Sequence, residues 1–287
     1  FAAINASIAS MTTTAAVPVF DNGTGSYIRI SGTQHMEAVS SMPDWLAQML
    51  HNLILTGQCT DITLELNDSL MTQVLDSGTV STSPDFVLAG TCTTSFQTSG
   101  ANRSNNIAVG ASRLNNLIVL PGQTVSVSDT ILPRTRANGY KEAGVYVNGA
   151  HTTGLGGGVC QISSTVYNAV KNAGLTVVQR NPHSMPVSYL PKGLDAAIAA
   201  GSKDLKFRND YTTPVVLYTD TSNKHLTVNV LVWNQELAGR SFKLWAKQTG
   251  ALSADTYFTT YLNGKEISTQ FVGTSRYNPY REAVNDD

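Results

Sequence analysis

The stretch Gly154-Leu-Gly-Gly-Gly-Val-Cys-Gln161 carries the residue types best suited to covalent chemistry. Cysteine attacks as its thiolate, and a place at the start of a helix favours that form, because unpaired N–H groups make that end positive. The same N–H groups suit the oxyanion that forms when a carbonyl is attacked. Glycines just ahead of a helix allow close backbone approach and leave donors pointing outward. Cys160 is therefore the candidate nucleophile, with Gly158 and Gln161 on the oxyanion side of the helix start. The competing reading is a buried structural cysteine, since free cysteine is among the most buried residue types. The glycine run and the polar Gln161, Ser163 and Ser164 weigh against it.

A cysteine nucleophile needs a base. Of the five histidines, His35 and His51 lie in the first part of the chain and His225 at a strand end. His151 and His183 remain. His183 sits in Asn181-Pro-His-Ser-Met-Pro186, where two prolines stiffen the loop, and is favoured over His151 as general base. No metal is expected, because the cysteines and histidines show no ligand spacing. No cofactor is expected either: the glycine run is not followed by Lys-Ser/Thr, as a phosphate loop would be. Tyr189 to Pro191 either line a groove or pack.

Elements must hold these groups in place. From Cys160, residues Ile162, Val166, Ala169, Val170 and Ala173 share one helical face, and Gly174 ends the helix. Asn102 to Asn116 reads as a second helix through Ile107, Ala108, Ala111 and Leu114, closed by the turn Val119 to Gln123. Strands are expected at 125–128, 187–190, 214–218 and 226–232, the last two as a hairpin through 220–224. Residues 134–158, rich in glycine, read mostly as loops. Toward the end, Phe242, Leu244 and Ala246 alternate, as do 257–262 and 266–272 around Asn263-Gly264, a strong hairpin signal. Earlier, 26–30 and 61–66 alternate as strands, 44–53 reads as an amphipathic helix, and 67–85 as a linker.

The chain has 287 residues, a formal charge of -1 and only 14% charged residues, against a usual quarter or so. That balance offers no footprint for nucleic acid. No apolar run of membrane-spanning length occurs. The start at Phe1, without Met or leader, reads as a trimmed ectodomain whose only membrane link would be an N-terminal anchor outside this sequence. Three cysteines suggest one pair, Cys59 with Cys92, leaving Cys160 free, the competing reading being three unpaired thiols.

Taken together, several segments resemble the VanW domain: Asn102-Arg103, Leu120-Pro-Gly122, Pro133-Arg-Thr135, Asn138-Gly-Tyr140, Gly156 to Gln161, His183-Ser184, Pro186 to Tyr189, Asp195-Ala196 and Lys203 to Asn209. The resemblance runs in order over about residues 92–235. One departure is Leu132, where the family usually has Gly before Pro-Arg-Thr. The first 70 residues weakly resemble the peptidoglycan-binding domain that often precedes VanW, and the tail resembles the short β module that often follows it. The resemblance implies an α+β fold in three parts: a small N-terminal α+β domain with linker (1–85), a β-rich catalytic domain with short helices (86–238) and a C-terminal β extension (239–287).

It also implies peptidoglycan L,D-transpeptidase activity on stem peptides, at the outer face of the cytoplasmic membrane or in the wall. Cys160 and His183 would be catalytic, and Arg134, Tyr140, Ser184 and Tyr189 would bind substrate, with Arg134 pairing a carboxylate. An L,D-carboxypeptidase or peptidase using the same cysteine, and a non-catalytic wall-binding protein, are the competing expectations.

Overall fold

A computed structural model describes residues 17–21, 26–30, 86–147, 150–199 and 201–279. The expected helix at 44–53, the strand at 61–66, the linker, and the Cys59 side of the cysteine pair lie outside the described residues. The strand expected at 26–30 is present as β2 (Ser26–Ile30), paired antiparallel with β1 (Val17–Asp21).

The site rests on a four-stranded antiparallel sheet in the order β3-β11-β10-β4, made of β3 (Phe86–Ser95), β4 (Leu117–Val119), β10 (Val215–Asp220) and β11 (His225–Trp233). The alternation of β11 buries Leu226, Val228, Val230 and Val232 completely, as a half-buried strand should. Against this face lies α3 (Val159–Asn172), whose Ile162, Val166, Ala169 and Val170 are fully buried. Strand and helix meet at Gly90: a Cβ there would lie 2.3 Å from the Ala169 carbonyl oxygen. Only glycine lets the two backbones approach so closely.

Around this core sit α1 (Ala101–Ser112), β5 (Thr124–Ser126), α2 (Val127–Thr130) and the hairpin β6 (Glu142–Val147) and β7 (Ala150–Leu155). β8 (Thr176–Gln179) and β9 (Lys206–Arg208) join β5 in a three-stranded sheet. After the short helix α4 (Asn234–Leu237), β12 (Arg240–Gly250), β13 (Ser253–Leu262) and β14 (Lys265–Arg276) form an antiparallel meander. Its β13–β14 turn is the expected Asn263-Gly264, both at positive φ. The described fold is thus β-rich with few helices, and all its pairings are antiparallel.

Four expectations need correction. Residues 134–158 are not mostly loop, since they contain the β6–β7 hairpin. Residues 187–190 form no strand. Pro186 and Pro191 flank them and lack the N–H groups a ladder needs. The helix from Asn102 stops at Ser112, and β4 forms before the turn. The strand at 125–128 ends at Ser126, whose side chain caps α2 by accepting from the Asp129 N–H at 3.0 Å.

Candidate functional site

Cys160 is the second residue of α3, at the helix's positive end. The glycines before it fit close to their neighbours. A Cβ on Gly157 would lie 2.6 Å from the Gly144 carbonyl oxygen, and one on Gly158 would press on Arg103 and Ile107. Gly158 also has φ +112, a conformation that side chains resist. Asn106 locks this turn, donating to the carbonyls of Gly157 at 3.0 Å and Lys141 at 2.9 Å and accepting from the Lys141 N–H.

The loop from residue 180 to 198 then folds back over the helix start. Its His183 ring lies within hydrogen-bonding reach of the Cys160 thiol. The other ring nitrogen, Nδ1, is 2.7 Å from Asp195 Oδ2, and the same oxygen accepts the His183 backbone N–H at 2.7 Å. Cys160, His183 and Asp195 thus lie in one row, with His183 bonded to Asp195 on one side and facing the thiol on the other. Asp195 is the member to which the sequence assigned no role, since eleven residues of irregular loop lie between it and His183.

The electrostatics follow from this row. Burial alone would keep the Cys160 thiol protonated, but the hydrogen bond and charge of His183, and the charge of Arg134, pull its pKa below the ordinary value of 9.0. Burial disfavours charge on His183, yet its bonds to Asp195 and Cys160 win and raise it to about 9. Asp195 is nearly fully buried, which alone would raise it. Donors from His183, Tyr277 and Arg180 instead hold it at about 2. The arrangement favours a thiolate–imidazolium pair backed by a carboxylate. The thiol and thiolate forms use different partners: the S–H points to the Ile198 carbonyl at 3.4 Å, whereas the thiolate accepts from His183.

Helix α3 pins the loop with polar side chains. Ser163 Oγ donates to the Ala196 carbonyl at 2.6 Å, Ser164 Oγ accepts the Ala196 N–H at 2.9 Å, and Asn168 Nδ2 donates to the Leu194 carbonyl at 2.7 Å. Arg180 adds Nε to the Asp195 carbonyl at 2.7 Å and Nη2 to Asp195 Oδ1 at 3.3 Å.

Residues 102–231, which hold Cys160, His183 and Asp195, match the family model described as VanW like protein. This segment is similar to the VanW-like family. Over 128 residues the chain is 42% identical to the uncharacterized protein YoaR of Bacillus subtilis, covering 45% of this chain and 42% of that protein. Over 114 residues it is 36% identical to the vancomycin B-type resistance protein VanW of Enterococcus faecalis, covering 38% of this chain and 42% of the relative. The chain thus spans about two fifths of the length of the curated relatives it matches. No solved structure matches.

Within residues 102–231 the other candidate residues divide. Arg134 stacks its aliphatic stem on Gly156, and its charge reaches Cys160. Its Nη1 is buried without a hydrogen-bond partner. Tyr189 is half-buried, its hydroxyl 3.4 Å from Ser164 Oγ. Burial, then the nearby Cys160, raises its pKa. Ser184 is exposed beside His183.

Two candidates are corrected. Tyr140 is buried, and its hydroxyl donates to the Ile131 carbonyl at 2.8 Å, so it is scaffold that no substrate reaches. Gln161 is buried too. Its N–H is taken by the Gly158 carbonyl at 3.0 Å, and its amide donates to Thr94 Oγ1 and the Ser95 carbonyl. It fixes the helix start and presents no free donor.

Arg103 was not a candidate from sequence. Its Nη2 holds Gln161 Oε1 at 2.9 Å, and its charge interacts with Cys160 and Tyr189. The backbone of His151 lies in β7. His183, the favoured base, is the histidine that meets Cys160. Tyr189 turns toward the helix, while Leu190 and Pro191 line a groove with Ala246 and Gln248 of β12. Among the described residues no cluster of His, Cys, Asp and Glu could hold a metal ion.

Proposed function

We propose that this protein is a cysteine-dependent acyltransferase of the bacterial cell wall, an L,D-transpeptidase acting on peptidoglycan stem peptides outside the cytoplasmic membrane. The observation that carries the reading is the placement of Cys160 at a helix N-terminus beside His183, whose ring is bonded to the buried Asp195. The vancomycin-resistance name of one relative supports the wall context.

In this reading the Cys160 thiolate attacks the carbonyl carbon of the third stem residue, diaminopimelate. The C–N bond to the terminal D-alanine breaks, and the His183 imidazolium gives its proton to the leaving amine. The thioester is then attacked by the side-chain amine of a second diaminopimelate. Neutral His183 takes that amine's proton, and Cys160 leaves as thiolate. Asp195 keeps the ring oriented and its Nδ1–H in place, the role of the carboxylate in a nucleophile–His–acid triad. The oxyanion falls to the N–H of Cys160 in the first turn of α3. Arg134, whose charge reaches Cys160, would attract the carboxylate of the terminal D-alanine. Tyr189 and Ser184 would contact the same substrate.

The test is mass spectrometry of purified disaccharide-tetrapeptide incubated with this protein or its Cys160→Ala variant. The expected result is a cross-linked dimer with loss of D-alanine that needs Cys160. Tripeptide without dimer would replace the transferase with a carboxypeptidase. No conversion of a substrate that another transpeptidase accepts would sink the catalytic reading.

A further inference from the structure

The carboxylate behind His183 is held by a residue far along the chain. Tyr277 follows β14, beyond the residues matched to the VanW family. It is 6% exposed. Its hydroxyl donates to Asp195 Oδ1 at 2.5 Å and accepts the Gly193 N–H at 2.7 Å. Its own N–H goes to the Leu252 carbonyl at 2.8 Å, which ties it to the start of β13.

Other contacts from the meander grip the same loop. Thr256 Oγ1 donates to the Gly193 carbonyl at 2.9 Å, Ser275 Oγ accepts from Arg180 Nη1 at 3.0 Å, and the Asn278 N–H donates to the Ser184 carbonyl at 2.7 Å. The meander also grips the helix. Leu244 N–H donates to Asn172 Oδ1 at 2.8 Å, and Lys171 Nζ sits 3.7 Å above the Phe258 ring. Both the segment bearing the nucleophile and the loop bearing its base are therefore fastened to one three-stranded sheet.

We propose that this C-terminal meander is part of the active site, with Tyr277 as a positioning residue that orients Asp195 and, through it, His183. The inference rests on the Cys160–His183–Asp195 reading. Asp195 Oδ2 must face two donors of His183 at once, so the rotation of the carboxylate decides whether the ring is held. Tyr277 fixes that rotation from the other oxygen. Without the hydroxyl, Oδ1 keeps only Arg180 Nη2 at 3.3 Å, and the Gly193 N–H loses its acceptor. The carboxylate then swings toward Arg180, and the imidazolium is no longer pressed on the thiolate.

The experiment is the pH profile of Cys160 alkylation by iodoacetamide, followed by peptide mapping, in the wild type and in Tyr277→Phe. The ring of phenylalanine keeps the packing. A weaker ion pair moves the acid limb of the profile upward, so alkylation on that limb falls roughly three- to tenfold. Thr256→Val serves as the comparison: it removes another clamp between sheet and loop but leaves the carboxylate's partners in place. It is expected to lower the melting temperature without moving the limb. If the wild-type limb lies where an ordinary thiol titrates, the ion-pair reading fails. If the wild-type limb is depressed and Tyr277→Phe matches it, the triad stands and the positioning role is overturned.

Discussion

Replacing His183 with alanine isolates what lowers the Cys160 pKa. The substitution removes the two strongest effects that favour the thiolate, the hydrogen bond and the charge of the imidazolium. Burial, which favours the thiol, then meets little opposition. A hydrogen bond to a charged group is worth about 1.5–3 kcal/mol. That is a factor of roughly 10 to 150 in the balance of thiol and thiolate. A less acidic thiol gives a stronger nucleophile, with a Brønsted slope of about 0.4–0.5, which takes back nearly half of the logarithm. Net alkylation therefore falls roughly 4- to 15-fold at pH values below both acid limbs.

The sign is fixed. The thiolate forms as pH rises through the Cys160 pKa, so a raised pKa moves the whole limb to higher pH. The fold should survive, because Asp195 keeps the backbone N–H of residue 183, the Tyr277 hydroxyl and Arg180. Peptide mapping separates Cys160 from Cys92, whose thiol burial pushes up to about 12 and so keeps it slow. A natively folded His183→Ala protein whose acid limb overlays that of the wild type would refute the reasoning, because His183 would then contribute nothing to the thiolate.

Two further outcomes test the scaffold. Ser164→Ala leaves the buried Ala196 N–H without its acceptor, a cost of about 1–3 kcal/mol. Thermal denaturation should show the melting temperature lowered by about 3–10 °C, and an unchanged value would mean that the loop is held elsewhere. Gly157→Ala drives a methyl to within 2.6 Å of the Gly144 carbonyl oxygen and 2.9 Å of the Ala143 carbonyl carbon, both rigid backbone, and should cost about 1–3 kcal/mol. Gly100→Ala meets open space at an ordinary φ of -65, so urea unfolding midpoints that fall equally in both variants would count against the close-packed glycine turn.

Where side chains repeat with one period, the sequence was legible. The α3 face, the β10–β11 hairpin and the C-terminal meander all follow from spacing that a single buried face imposes. The place of Cys160 at the start of α3 was legible for a related reason, because a glycine run ahead of an amphipathic stretch marks a helix start. The β6–β7 hairpin was hidden by its composition. Glycine and threonine dilute the alternation, and the Asn148-Gly149 pair between the strands was the turn signal to weigh. Tyr140 and Gln161 misled because a polar atom near a cysteine in sequence says nothing about its orientation. Both point inward and satisfy backbone groups of the scaffold. Asp195 and Tyr277 carried no local pattern, since the loop from 180 to 198 and the end of β14 meet only in three dimensions.

The polar residues of α3 explain how an irregular loop can hold His183 in register with Cys160. A helix packed on a sheet would ordinarily bury only apolar side chains, yet Ser163, Ser164 and Thr165 are wholly buried and Asn168 nearly so. Backbone in a loop has no ladder to satisfy its N–H and carbonyl groups, and leaving them unpaired in the interior is costly. Ser163, Ser164 and Asn168 supply those partners for residues 194–196. The loop that carries Asp195 is thereby fastened to the helix that carries Cys160, and its position is set by helix geometry and not by its own flexibility. Preorganisation of this kind is what a thiolate–imidazolium pair requires, because the pair persists only while charge and hydrogen bond stay aligned. Apolar replacements along this face would pack well enough for the core, but they would release the loop and with it His183.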